Sequence, residues 1–169
     1  TFRILSKVMI QVTCEVRNPH HETFDKPGII ISNHQSHLDL LYTLMLSPKI
    51  ICLTNKWVWN SPFYGWILRY ANYYPIIDGI EAHTQKLAKA IEEGYSILIF
   101  PEGTRSPNNK ILRFHQGAFY LAEKLKVDII PLMIHGIGDV LPKSEFLLRK
   151  GKVTVNVLNR IKPDDQTYR

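Results

Sequence analysis

Cysteine is scarce in this chain of 169 residues, which contains only Cys14 and Cys52. The two residues lie far apart and in no metal-binding spacing, which argues against a disulfide framework and against a cysteine-based metal module. We therefore expect both to be reduced core thiols in a cytosolic environment.

Long hydrophobic runs are also lacking. One of the longest, Ile129 to Ile134, contains Pro131, whereas a membrane-spanning helix needs about 20 apolar residues. The chain begins at Thr1 without a basic segment, an apolar segment and a cleavage site, so we expect an excised domain that crosses no bilayer rather than a secretory precursor.

The sequence does contain enough apolar residues, 45% of the total, to bury one ordinary core. Because domains usually have about 100–200 residues, we expect residues 1–169 to form a single domain. The net charge of +6 suits an anionic partner. The basic residues are scattered and accompany no recognisable nucleic-acid module, so we expect no nucleic-acid partner.

Short apolar runs alternate with helical patterns along the chain. Strand patterns cover residues 10–16, 28–32, 50–53, 73–77, 96–100, 127–134 and 153–158. Helical patterns cover residues 38–46, 62–71, 81–93 and 116–126. This alternation predicts the α/β class, a single layered domain with a mostly buried mixed sheet flanked by helices.

Two titratable side chains, His34 and Asp39, follow the buried strand pattern of residues 28–32. On a regular helix, side chains five positions apart would diverge by about 140°, so His34 must precede the helix. In a strand-to-helix turn the carboxylate can hold one imidazole nitrogen and leave the other free as a base. The pattern predicts a histidine general base with an orienting aspartate.

Three alternatives apply to the same segment. His34, His37 and Asp39 could bind a metal, although the histidine spacing is one residue short of a helical ligand pair and no other ligand cluster is evident. Asn33, Ser36 or Asp39 could simply cap the helix. Ser36 could be a nucleophile, although no glycine-flanked serine elbow surrounds it.

A second polar segment, Phe100–Ser106 with the sequence FPEGTRS, follows the apolar strand pattern of residues 96–99. Gly103 allows a tight turn and the close approach of a ligand. Arg105 offers a forked guanidinium for phosphate or carboxylate, and Glu102 can accept a hydrogen bond from a hydroxyl. Taken alone, the segment is equally typical of a charged surface turn.

Together, Asn33-His34-x4-Asp39 and Phe100–Ser106 resemble the motifs of the glycerolipid acyltransferase family, whose best-known members acylate lysophosphatidic acid. Three weaker blocks agree in order and spacing. They are Lys56 followed by Pro62 and Gly65, Phe114-x-x-Gly117-Ala118, and Ile130-Pro131-Leu132. The resemblance covers about residues 28–136 and implies a fold like that of glycerol-3-phosphate acyltransferase.

The resemblance implies an O-acyltransferase of phospholipid biosynthesis. It would move a fatty acyl group from acyl-CoA or acyl carrier protein to the hydroxyl of a lysophospholipid such as 1-acylglycerol-3-phosphate, with no metal, no cofactor and no acyl-enzyme. His34 and Asp39 would be the catalytic residues. The substrate-binding residues would be Gln35, Ser36, His37, Glu102, Gly103, Thr104 and Arg105.

Two departures from the family pattern affect the acceptor. Gly79 stands where family members usually carry an arginine of the phosphate site, and His115 replaces a common lysine. Our hypothesis is that acyl transfer is retained while head-group selectivity is altered, for example toward a lyso-aminolipid. The alternative function is a catalytically silent lipid-binding module of a larger membrane protein.

An aromatic segment between residues 57 and 70 permits two interpretations. Its members are Trp57, Trp59, Phe63, Tyr64, Trp66 and Tyr70. Such side chains form cores, but tryptophan and tyrosine also favour the boundary between lipid and water. We expect peripheral contact with the cytoplasmic face of a membrane, either alone or as a domain of a membrane-anchored protein.

Overall fold

A computed structural model describes residues 12–55, 73–76, 81–143, 145 and 147–163. The predicted helix at residues 62–71, the aromatic segment at 57–70 and Gly79 lie outside the described residues. Among those described, no helix has the length and apolar character needed to cross a membrane.

Seven strands form one mixed sheet in the order β1-β7-β6-β2-β5-β3-β4. Neighbouring strands are parallel except β6 and β7, which are antiparallel. The predicted mixed α/β sheet is confirmed. The strands are β1 (Val12–Arg17), β2 (Ile29–Ser32), β3 (Ile50–Asn55), β4 (Tyr73–Ile76), β5 (Ser96–Ile99), β6 (Ile129–His135) and β7 (Gly151–Val157).

Helices cover both faces of the sheet. In the described part of the chain they are α1 (Asp39–Leu44), α2 (Thr84–Glu92), α3 (Gly117–Leu125) and α4 (Ile137–Val140), with a 3-10 turn at Glu81–His83 before α2. The sequence predicted the first three and missed α4. Four residues are too few for a helical period to be visible.

The central strands β2 and β5 are buried on both faces, as their unbroken apolar runs predict. Along β2, Ile30 packs in one cluster with Leu40 and Leu44 of α1. Ile29 and Ile31 point the opposite way and pack with residues of α2 and α3. The strand that leads to His34 is therefore packed on both faces.

The two cysteines have different environments. Cys52 is buried in the core, where desolvation raises the pKa of its thiol. Cys14 is half-buried and packs at the edge of another apolar cluster. Both are free thiols.

Candidate active site

Two loops meet at one edge of the sheet because β2 and β5 are parallel neighbours, which brings their carboxyl ends together. We call residues 33–38, which follow β2, the His34 loop. We call residues 100–106, which follow β5, the Arg105 turn. The fold therefore brings together the two polar segments that the sequence singled out.

His34 and Asp39 form a hydrogen-bonded pair with 2.7 Å between Nδ1 and Oδ2. The side chain of His34 is 22% exposed, whereas that of Asp39 is fully buried. An ionised carboxylate can only accept, so Nδ1 donates and Nε2 is the basic nitrogen. The imidazole also stacks on Phe100, with ring centroids 4.2 Å apart, so the second loop supports the ring of the first.

Asp39 also organises the backbone that carries His34. It is the first residue of α1, and its Oδ2 accepts hydrogen bonds from the amides of Gln35 at 2.6 Å and Ser36 at 2.8 Å. Its Oδ1 is buried without a hydrogen-bond partner among the described residues. One carboxylate therefore orients the imidazole and satisfies amides of the preceding loop, whereas the N-cap of α1, Leu38, has no side-chain hydrogen bond of the kind that the capping alternative required.

The metal-binding alternative finds no suitable ligand set among the described residues. No group of three or more histidine, cysteine, aspartate or glutamate side chains within the described ranges could hold a metal ion. Ser36, the alternative nucleophile, is fully buried, and its hydroxyl accepts a hydrogen bond from the amide of Leu38.

Asn33 has a structural task that the sequence did not reveal. Its Nδ2 donates to the carbonyl of Ile134 at 2.9 Å, and its Oδ1 accepts from the Ile134 amide at 2.8 Å. The side-chain amide thus continues the pairing of β2 with β6 beyond the end of the strand. This fixes the direction in which the chain leaves the sheet toward His34.

The Arg105 turn forms hydrogen bonds with the main chain of His34. Glu102, 3% exposed, accepts hydrogen bonds from the amides of His34 through Oε1 and of Leu112 through Oε2, both at 2.8 Å. The amide of Ser106 donates to the carbonyl of His34 at 2.7 Å. Glu102 therefore positions the main chain of His34, and the acceptor contact predicted for Glu102 stays a prediction.

The remaining residues of the turn are more exposed. Gly103 has a φ of +66°, and a Cβ at this position would meet the ring of His115 at 3.4 Å. The Arg105 guanidinium donates to the carbonyl of Lys143 at 3.2 Å. Lys143 in turn donates to the Thr104 hydroxyl at 3.3 Å. The positive φ explains why glycine occupies this position.

The other predicted substrate residues of the His34 loop differ in accessibility. Gln35 is buried, and its Nε2 donates to the carbonyl of Asn109 at 2.8 Å. His37 is half-buried, and burial together with the charges of Arg105 and His34 lowers its pKa to about 4. His37 is therefore neutral near pH 7 and lies close enough to Arg105 to respond to its charge. The substrate contacts predicted for Gln35, Ser36 and His37 stay predictions.

Comparison with known proteins gives a consistent result. The family model described as Acyltransferase matches residues 12–135. A 1-acyl-sn-glycerol-3-phosphate acyltransferase of Chlamydomonas reinhardtii is 33% identical over 83% of this chain and 44% of its own length. The alpha form from Bos taurus is 29% identical over 94% of this chain and 59% of its own length.

A solved structure shares the fold. The crystal structure of the 1-acyl-sn-glycerophosphate acyltransferase PlsC from Thermotoga maritima aligns with a TM-score of 0.81 at 24% identity, covering 99% of this chain and 70% of that one. The chain spans roughly half the length of the curated relatives described above, 44% and 59%.

Proposed function

Since the chain belongs to the Acyltransferase family, we propose that it transfers a fatty acyl group from a thioester to the hydroxyl of a lysophospholipid. The donor is acyl-CoA or acyl carrier protein, and the acceptor is 1-acylglycerol-3-phosphate or a related lyso-lipid. The observation that carries the proposal is the 2.7 Å hydrogen bond between His34 and the buried Asp39, held against the Arg105 turn.

The reaction needs a base but no covalent intermediate. His34 Nε2 removes the proton of the acceptor hydroxyl while its oxygen forms a bond to the thioester carbonyl carbon. The tetrahedral intermediate then expels the thiolate, which receives the proton from the imidazolium. Asp39 stabilises that imidazolium, and general-base assistance of this kind is typically worth about 10² to 10⁴ in rate.

The intermediate also needs a donor for its oxyanion. We predict a backbone amide near one of the two loops. The amides of His34, Gln35 and Ser36 donate to Glu102 and Asp39, which makes them poor candidates. Another amide of the two loops is therefore the better choice.

The acceptor is assigned to the Arg105 turn. Curated relatives bear the name 1-acyl-sn-glycerol-3-phosphate acyltransferase, and an arginine beside a general base suits a phosphate-bearing acceptor. Gly103, Thr104 and Arg105 directly follow Glu102, whose carboxylate accepts a hydrogen bond from the amide of His34.

Peripheral membrane contact at the cytoplasmic face is part of the proposal, since the acceptor is a single-chain lipid. It is supported by the net charge of +6 and by Leu147 and Leu148, which are 81% and 45% exposed. They precede the exposed Arg149 and Lys150. Such a segment suits an anionic lipid surface. Flotation with anionic and neutral vesicles at low salt tests this, and equal recovery without lipid would contradict it.

The decisive experiment offers the purified protein a mixed pool of lyso-lipids and acyl thioesters and identifies the products by mass spectrometry. We expect an acylated lysophospholipid from the wild type and a loss of about 10² to 10⁴ in turnover for His34→Ala. His135→Ala, an exposed histidine at the end of β6, is the matched control and should retain activity. A wild type that binds lyso-lipids without forming product would instead support the lipid-binding module.

A further inference from the structure

Lys143 is joined to the Arg105 turn although 38 residues separate it from Arg105. Its Nζ donates to the carbonyl of Arg105 at 2.8 Å and to the hydroxyl of Thr104 at 3.3 Å. The guanidinium of Arg105 donates to the carbonyl of Lys143 at 3.2 Å. Each of the two cationic side chains thus bonds to the main chain of the other residue.

This exchange of contacts attaches both cationic side chains to the same short stretch of the surface. Like charges in proximity cost free energy unless an anion lies between or beside them. Both residues are at least partly solvent-accessible, so an incoming ligand can reach them. A phosphate monoester, with close to two negative charges and three acceptor oxygens near neutral pH, is the lipid head group that gains most from two adjacent cations.

We propose that Lys143 is a second cation of the acceptor site and that, with Arg105, it selects lyso-lipids carrying a phosphate monoester. The inference rests on the proposed acyl transfer and specifies its acceptor. It also supplies a cation to a site that lacks the usual family arginine, because Gly79 stands at that position. The altered selectivity hypothesised from Gly79 is then unnecessary.

The test compares Lys143→Met, which removes the charge and keeps the chain length, with Lys143→Arg, which keeps the charge. We expect Lys143→Met to raise the KM for lysophosphatidic acid about tenfold, with kcat within about twofold. The inhibition constant of glycerol 3-phosphate, used as a head-group probe, should rise by a similar factor. Lys143→Arg should restore both the KM for lysophosphatidic acid and the inhibition constant of glycerol 3-phosphate to near the wild-type values. High salt should reduce the difference in KM between wild type and Lys143→Met, because salt screens the charge.

Lys124→Met is the matched control, because Lys124 is an exposed lysine of α3, away from the Arg105 turn in sequence and outside the segment of Leu147 and Leu148. This control variant should leave the KM for lysophosphatidic acid and the inhibition constant of glycerol 3-phosphate unchanged. The KM for palmitoyl-CoA is measured in parallel because coenzyme A also carries phosphates. A Lys143→Met variant that changes only this donor KM would move the lysine to the donor site and overturn the inference.

A purely structural role for Lys143 predicts different kinetic constants for the variant. If Lys143 only braced the turn, Lys143→Met would lower kcat and leave the glycerol 3-phosphate inhibition constant unchanged, which would also overturn the inference. A wild type that forms no product with lysophosphatidic acid but acylates another lyso-lipid would refute the phosphate selectivity alone. A wild type that acylates nothing would refute the proposed function itself.

Discussion

Asp39 performs two tasks with one oxygen, which accepts from the imidazole of His34 and from the amides of Gln35 and Ser36. A neutral amide oxygen can accept the same three hydrogen bonds but cannot stabilise an imidazolium by its charge. The structural role of this residue and the catalytic role proposed for it can therefore be separated by a substitution.

Asp39→Asn should lower kcat by about 10² to 10⁴ while the protein stays folded. The measurement is steady-state acyl transfer together with thermal unfolding followed by circular dichroism. Asp139→Asn, at an exposed aspartate of α4, provides the comparison. Full activity in Asp39→Asn would show that the carboxylate charge is not needed and would remove the general-base role from the pair.

Glu102 accepts two backbone hydrogen bonds that reach across the site, from His34 and Leu112. Glu102→Gln can satisfy only one of them through its oxygen, since its amide nitrogen donates. We expect a loss of about 1–3 kcal/mol in the free energy of unfolding and a lower kcat because His34 loses its support. Chemical denaturation and kinetics measure both.

The control for this substitution is Glu123→Gln, on the exposed side of α3. If Glu102→Gln instead kept its stability and raised only the KM of the acceptor, Glu102 would bind substrate, as the family resemblance implies. That result would contradict the positioning role.

Gly136 lies between β6 and α4 and has a φ of +79°. A Cβ there would lie 2.2 Å from the carbonyl oxygen of Lys152 on β7. Gly136→Ala therefore adds backbone strain and displaces β7, and we expect it to cost about 2–4 kcal/mol of unfolding free energy. Denaturant unfolding monitored by fluorescence measures this loss.

Gly94→Ala is the matched comparison for Gly136→Ala. Gly94 also has a positive φ, +87°, but its Cβ would meet only the flexible side chain of Lys49. We expect this variant to lose about 1–2 kcal/mol, since only the backbone term remains. Equal losses in the two variants would show that the contact with β7 contributes nothing.

The strands were predictable from the sequence because each is either a short apolar run or a stretch in which apolar and polar residues alternate. All seven predicted stretches overlap a strand of the sheet. The pairing of His34 with Asp39 was one of several interpretations of the segment, drawn from its spacing and its place after a buried strand, and the hydrogen bond between them is present. α4 was not predictable, because its Ile137 and Val140 are held by packing against Val153 and Val155 of β7. Local sequence does not contain that information.

Other parts of the site depend on contacts between residues distant in sequence. Asn33 bonds to Ile134, 101 positions away, and Lys143 bonds to Arg105, 38 positions away. Phe100 was visible as a motif residue, but its stacking on His34 was not. A single sequence shows which polar residues follow strands, and the order of strands in the sheet decides which of them meet.

Arg160 joins segments from opposite ends of the described chain. Its guanidinium donates to both carboxylate oxygens of Glu22, at 2.5 and 2.9 Å, and to Asp128 at 3.4 Å. Lys26 also donates to Asp128, at 2.8 Å. Glu22 and Arg160 are 10% and 18% exposed, so this network is shielded from solvent more than an ordinary surface ion pair.

Arg160→Met should lower the free energy of unfolding by about 2 kcal/mol at pH 7. The hydrogen bonds from Arg160 lower the pKa of Glu22 below its ordinary 4.5. A carboxylate with a depressed folded-state pKa stabilises the fold above the unfolded value and loses that effect as pH falls through the folded value. The difference between wild type and Arg160→Met should therefore shrink as pH falls below 4.5.

Denaturant titrations at pH 7 and at a series of lower pH values measure this difference. Arg17→Met is the control, because Arg17 pairs with Glu15 at the surface and such pairs contribute little. A gap between wild type and Arg160→Met that stays constant at acidic pH would show that packing of the arginine, not its charge, is responsible.

The position of β2 between β5 and β6 also sets an order of events during protein synthesis. The ribosome makes β2 before the strands that flank it, which begin at Ser96 and Ile129. The side chain of Asn33 cannot form its hydrogen bond to Ile134 until that residue has been synthesised. A nascent polypeptide released before that point carries His34 without β6 and without the Asn33–Ile134 hydrogen bonds that fix the start of its loop. Prematurely terminated products of this gene should therefore be inert, however much of the first motif they carry.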